Sequence, residues 1–307
     1  MARLIAALAA LLLGGRAVAT PVDDLQRDDS LAQSIGWRLL TANASACPDV
    51  AAATGIQVQD TAAYDDPALA RARYGLSGDI FVGALADDSP GAASGLTVNT
   101  TIIAIAGQPL TALPAPPPRT PYARLQRVQA LLDDAAARDG VVALTGGGGR
   151  VYRVATVPAC RVAIMVDDDR TYANATRGEI RIGRRLFDAT EGNRDVIAAI
   201  IAHELAHAVL DHESQLAQAH RSLAVRRRTE READRLSVWL LAKAGYPPAA
   251  ALDFQRTLVA RYGGPLAIDL THGGWRARSR IIAAEIATLT ASPDADWPLR
   301  FRREPDR

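Results

Sequence analysis

The pentapeptide His203-Glu204-Leu205-Ala206-His207 constrains this chain more than any other stretch. Residues four apart share one face of a helix, so both imidazoles can reach a single metal ion. Glu204 follows the first histidine by one residue, about 100° around a helix. From there it can stand beside a metal-held water as general base. The segment lies inside the apolar run from Val196 to Leu210, which reads as a buried helix. Two buried imidazoles with a carboxylate between them need partners, and a metal ion is the natural one. The plainer alternative is a pair of satisfied core histidines with an unrelated glutamate.

All five histidines of the 307-residue chain, His203, His207, His212, His220 and His272, fall between residues 203 and 272. A hydrolytic zinc site takes three protein ligands and leaves a fourth position to water. The extended pattern with a glycine and a third histidine close behind is absent, because Leu210 and Glu213 stand in those places. The stretch from Arg228 to Gly245 offers carboxylates instead. It reads as a helix: Leu236, Trp239 and Leu240 share a face, and Gly245 then Pro247 form a stop signal. Glu230 and Asp234, four apart, share a face as well. One can bind the metal while the other accepts a hydrogen bond from a ligand histidine and fixes its tautomer. Alone, this arginine-rich stretch would read as a solvated charged helix.

Together, His203-Glu-x-x-His207 and Glu230-x-x-Ala-Asp234 resemble the gluzincin family of zinc metallopeptidases that contains HtpX, the CAAX prenyl endopeptidases and BepA. Tyr172-Ala-Asn-Ala175, the segment Gly178-Glu179-Ile180-Arg181-Ile182-Gly183 and Ala244-Gly-Tyr-Pro-Pro248 extend the likeness over roughly residues 165 to 290. The resemblance implies that His203, His207 and Glu230 hold one Zn2+, that Glu204 is the base and that Asp234 supports a ligand. Glu232 competes as a ligand but lies off the face shared by Glu230 and Asp234. The resemblance also implies that Gly178 to Gly183 is the strand on which extended substrate is laid. One departure stands out. Where the family has Thr-His-Pro and then an arginine, this chain has Thr271-His272-Gly273-Gly274-Trp275, with Arg280-Ile281 farther on. His272 is read as an oxyanion stabiliser, as a plug of the open position, or as a plain loop histidine. His212 is read as a helix-end residue.

Upstream lies a region of short strands. Asp79 to Leu85 is a strand candidate, followed by Ser89-Pro-Gly-Ala-Ala-Ser-Gly-Leu96 and then Thr101 to Leu110. A helix is expected from about Tyr122 to Arg138, and a hairpin from Val141 to Thr156. This order resembles a bacterial PDZ domain, with Asn99-Thr100 where the usual Gly-Asp stands. Such a unit implies a chain terminus bound by strand addition, with Tyr74-Gly-Leu-Ser-Gly78 as the candidate carboxylate loop. A small structural β domain without ligand is the alternative.

Arg3, the apolar run Leu4 to Leu13 and Ala17-Val18-Ala19 have the layout of a signal peptide. An exported, periplasmic location is therefore expected, with an uncleaved membrane anchor as the alternative. In an oxidising compartment Cys47 and Cys160 can form a disulfide or remain two buried thiols. The net charge of +1 gives no push toward nucleic acid, and membrane association is allowed but not required. Arg226-Arg227-Arg228 reads as a solvated helix face, or less simply as a contact for anionic lipid.

The expected class is α+β: a leader over 1–19, a helical segment over 20–60 and a β-rich PDZ-like unit over 61–160. A mainly helical zincin domain follows over 161–295, then a tail over 296–307. The function so implied is an exported zinc metalloendopeptidase acting on misfolded or envelope polypeptides, with the PDZ-like unit binding or gating substrate. The rivals are a periplasmic chaperone or adaptor with a latent metal site, and a zinc hydrolase with a small non-peptide substrate.

Overall fold

A computed structural model describes residues 21–117, 119–167, 172–176, 178–259 and 274–297, together with Phe301. The expected leader and His272 lie outside the described residues. The fold mixes helix and sheet around two hydrophobic cores.

Helix α1 (Pro21–Ala42) inserts Ala32, Ile35 and Leu39, all fully buried, into the larger core. Their helical spacing places them on one stripe. The helix expected over 20–60 ends at Ala42, because β1 (Val50–Ala53) and β2 (Ile56–Asp60) take up the rest. In β2, Ile56, Val58 and Asp60 are buried and the residues between them are half-buried, a period of two that suits a strand and not a helix. Ile56 and Val58 belong to the smaller core, which thus takes in residues ahead of position 61.

The chain runs on through α2 (Pro67–Tyr74), β3 (Ile80–Leu85), α3 (Pro90–Ala93), β4 (Ile102–Ile105), β5 (Gln108–Pro109), α4 (Ala123–Asp139), β6 (Val141–Gly146) and β7 (Val151–Ala155), of which β3, β4, α4, β6 and β7 supply the smaller core. Strands β2 and β3 pair antiparallel, and a second sheet runs β5-β4-β6-β7. Helix α4 buries Val128, Leu132, Ala135 and Ala136 on this core. Its Arg124 fixes the helix beside β2 by donating Nε and Nη2 to the fully buried Asp60 carboxylate, at 2.7 and 2.6 Å.

The segment Tyr74 to Gly78, expected as a carboxylate loop, does other work. Gly75 takes a left-handed φ of 65° to cap α2, and the Ser77 N–H is spent on the Thr101 hydroxyl at 3.1 Å. Leu76 gives its N–H to Arg71, at 2.9 Å. The turn that precedes the strand facing α4 is instead Thr54-Gly55.

Strand β8 (Val157–Cys160) pairs with β1, and a disulfide joins Cys47 to Cys160, 113 residues apart, with the Cα atoms 5.5 Å from each other. Strands β9 (Ala163–Asp167), β10 (Ala173–Ala175) and β11 (Glu179–Gly183) form a sheet of order β10-β11-β9, antiparallel between β10 and β11 and parallel between β11 and β9. Helix α1 satisfies the outer edge of β9: Gln33 donates to the Ile164 carbonyl, and Asp29 accepts the Val166 N–H at 2.9 Å.

The chain continues through α5 (Arg184–Asp188), α6 (Arg194–Val209), α7 (His212–Gln218), α8 (Leu223–Lys243) and α9 (Ala250–Asp253). A π-helical turn (Phe254–Val259) follows, and α10 (Trp275–Ala291) packs on α8. Helix α6 is capped by Asn193, whose side chain accepts from the N–H groups of Asp195 and Val196. It is apolar nearly all round and buried from Val196 to Ala206 between the sheet, α1 and α8. Among the described residues, no helix is long and apolar enough to cross a membrane.

Candidate metal centre

Helices α6 and α8 pack closely along their length, which brings the carboxylates of α8 under the histidines of α6. His203 Nε2 lies 3.2 Å from His207 Nε2 and 3.5 Å from Glu230 Oε2. His207 Nε2 lies 3.6 Å from Glu230 Oε1. A tetrahedral zinc ion with bonds of about 2.0–2.1 Å separates neighbouring donors by roughly 3.3–3.4 Å. The two imidazole nitrogens stand at the separation such an ion requires, and Glu230 faces each of them with a different carboxylate oxygen at a similar distance. Two imidazoles with one carboxylate is also a donor set that suits zinc and leaves a fourth position open. Among the described residues, His203, His207 and Glu230 are the one group of this kind.

Each of these two histidines is held from behind. His203 Nδ1 sits 3.4 Å from Asp234 Oδ1, and His207 Nδ1 sits 2.9 Å from His212 Nδ1. Asp234 is gripped by Arg278, which donates Nε to Oδ2 and Nη2 to Oδ1, each at 2.7 Å. Gln255, on the π-helical turn, adds a donor to Asp234 at 3.3 Å. The same Arg278 Nη2 lies 3.3 Å from Glu230 Oε2, so one guanidinium serves both carboxylates of α8.

The electrostatics follow from burial and these pairings. Burial raises the Glu204 carboxyl to about 7, a value suited to a base that works near neutrality. Burial also lowers the His207 ring to about 3, which keeps it neutral and able to ligate. For His203, burial works against the charge, but the Asp234 and Glu230 carboxylates overcome it and raise the ring. Burial works against charge on Glu230 and Asp234 too. His203, His207 and Arg278 hold Glu230 well below the usual carboxylate range, and Arg278 first and then His203 hold Asp234 below it.

Other expected residues land elsewhere. Glu232 does not join the cluster, since its Oε2 faces His212 Nε2 at 3.1 Å. Arg280 is exposed on α10, and Arg278, two residues earlier and 4% exposed, is the arginine that reaches the site. Strand β11, expected to receive substrate, is the central strand, with both edges paired to β10 and β9. Among the described residues, the edge of this sheet without a strand or helix hydrogen-bonded to it is that of β10. There Tyr172 and Thr176 turn their backbone groups to β11, so the alternating positions Ala173 and Ala175 face outward. The Ala175 backbone amide lies close enough to the Glu204 carboxyl to favour its ionised form, which puts this edge beside it.

The profile of peptidase family M48 matches residues 147–222. The match takes in β7 through α7, including both histidines and Glu204, and stops short of Glu230, Asp234 and Arg278. Among curated proteins none matches the chain. The family match indicates a metal-dependent peptidase, a hydrolase acting on polypeptides.

Proposed function

We propose that the chain is a zinc metalloendopeptidase that cleaves polypeptide bound in extended form along the outer edge of β10. The observation that carries this reading is the meeting of His203, His207 and Glu230 beside a buried carboxyl, Glu204, that lies against the backbone of β10. His203, His207 and Glu230 would hold the cation. When bound, the cation polarises the attacking water and the scissile carbonyl. Glu204 takes the proton of the water as it attacks, and returns it to the leaving amine nitrogen. Ala173 and the Ala175 carbonyl offer backbone groups to the substrate chain, aligning its carbonyl near Glu204. Asp234, clamped by Arg278, keeps the His203 proton on Nδ1 and its Nε2 lone pair toward the cation.

Metal analysis together with a casein cleavage assay on wild type and Glu204→Gln tests the reading. Glu204→Gln is expected to retain one zinc per chain and to lose at least a hundredfold in rate. Full activity in that variant would remove Glu204 from its role. A chaperone with a latent site, the rival reading, instead requires holding of unfolded protein that survives chelation without cleavage.

The smaller unit supports a PDZ-like reading through a cleft of about 840 Å³ whose walls include β2, α4, α1 and β9. A chain terminus adding to β2 opposite α4 would lie between the two units, where it can deliver or gate substrate. Export to an oxidising compartment is supported by the Cys47–Cys160 bond and by the apolar leader.

A further inference from the structure

His212 is 1% exposed and makes two ring contacts in a line. Its Nδ1 faces His207 Nδ1 at 2.9 Å, and its Nε2 faces Glu232 Oε2 at 3.1 Å. Neither contact is a consequence of helix spacing. Helix α6 ends at Val209, and Asp211 takes a left-handed conformation, φ 49° and ψ 47°, before α7 begins at His212. Such a conformation is costly for a residue with a Cβ, and it turns the chain so that the His212 ring returns beneath His207.

We propose that His212 is a positioning residue for the metal centre, and that Glu232 sets the direction of its hydrogen bonds. The inference rests on His207 acting as a metal ligand. If His207 presents its Nε2 lone pair to the cation, its proton sits on Nδ1 and must be donated. The atom facing it is His212 Nδ1, which then has to accept, so the His212 proton sits on Nε2 and is donated to the Glu232 carboxylate. This arrangement uses every polar atom of the line once. The reverse arrangement points the His207 Nε2 proton at Glu230 and at the cation, and leaves the His212 Nε2 lone pair against a carboxylate. The two ligand histidines are thus oriented by separate devices: His203 by Asp234 directly, and His207 by Glu232 through an interposed imidazole. An apolar side chain could fill the same buried volume, but it could not carry the proton order.

The test compares zinc affinity, by chelator competition, in wild type, His212→Leu, His212→Asn and Glu232→Gln. Nitrogen-15 NMR of the metal-free proteins adds the tautomer of His207. His212→Leu is expected to bind zinc 10–100-fold more weakly. Its His207 should lose the pure Nδ1-protonated signature seen in wild type. His212→Asn, which can place an acceptor oxygen near the former Nδ1, should recover most of that loss. A purely structural His212 would lower the melting temperature while leaving the tautomer unchanged, with no recovery by asparagine. Wild-type affinity and tautomer in His212→Leu would overturn the proposal, as would an Nε2-protonated His207 in the wild-type spectrum. Should His212→Leu fail to fold, Glu232→Gln and the wild-type spectrum decide. If wild type binds no zinc, the metal reading fails, and the tautomer still judges the relay separately.

Discussion

Arg278 holds both oxygens of Asp234 at 2.7 Å from a position 44 residues away in sequence, and it reaches Glu230 with the same guanidinium. Three charged groups are thereby removed from water together, which is tolerable only while each has its partner. Arg278→Leu should cost about 3–5 kcal/mol, because it strands two buried carboxylates. Arg278→Lys should recover part of that, since it keeps the charge but not the fork. Chemical denaturation of the metal-free proteins measures both, and an unchanged midpoint for Arg278→Leu would contradict the arrangement.

Glu204 acts as a base only when ionised, and burial has moved it up to about 7. Activity should therefore fall as pH drops through that region. A nearby cation favours the ionised form and shifts the fall to lower pH. A kcat/KM profile is expected to show an acid limb at or below pH 7, and a profile flat down to pH 4 would count against Glu204.

Asp29 is buried against β9 and accepts the Val166 N–H, and burial has pushed its carboxyl up to about 7. The folded form thus keeps its proton to higher pH than the unfolded chain does. Stability from this group is present at acid pH and is lost as pH rises from the ordinary aspartate range through about 7. Asp29→Asn retains an acceptor oxygen without the charge. It should raise stability at pH 8 by on the order of 2 kcal/mol and change little at pH 4. Melting curves at the two pH values decide the matter.

The Cys47–Cys160 bond closes a loop spanning 113 residues of sequence separation. By the chain-entropy argument, loss of such a bond costs about 4–5 kcal/mol. The Cys47→Ser, Cys160→Ser double variant should match reduced wild type in urea denaturation, and oxidised wild type should be more stable than either.

How much of this was legible in the sequence differs by residue. The His203–His207 and Glu230–Asp234 pairs were readable because each obeys the period of its own helix. Arg278 was missed in favour of Arg280. Yet Arg278, Ile282 and Glu285 follow the spacing of a helix face, and all three are buried. Reading the apolar period of α10 could have singled out Arg278. No such signal exists for His212, because its meeting with His207 depends on the left-handed turn at Asp211. That Gly178 to Gly183 forms the central strand of its sheet was not legible for another reason. A strand's composition reveals that it pairs, but not which neighbours pair with it. The same limit applies to β1, whose partner β8 lies beyond the whole smaller unit.

Helix α1 has a consequence for when the enzyme can come into being. It is made before every element it packs against, and its Ile35 and Leu39 must wait for α6 and α8. Synthesis proceeds from the N-terminus, so a growing chain carries both histidines well before Glu230, and Glu230 well before Arg278. Until Arg278 arrives, Glu230 and Asp234 lack the guanidinium that bridges them and fixes their placement. On the proposed function, a nascent chain is therefore unarmed toward itself and its neighbours, and cutting power arrives only with α10. For the same reason, a fragment confined to residues 147–222 should be inert.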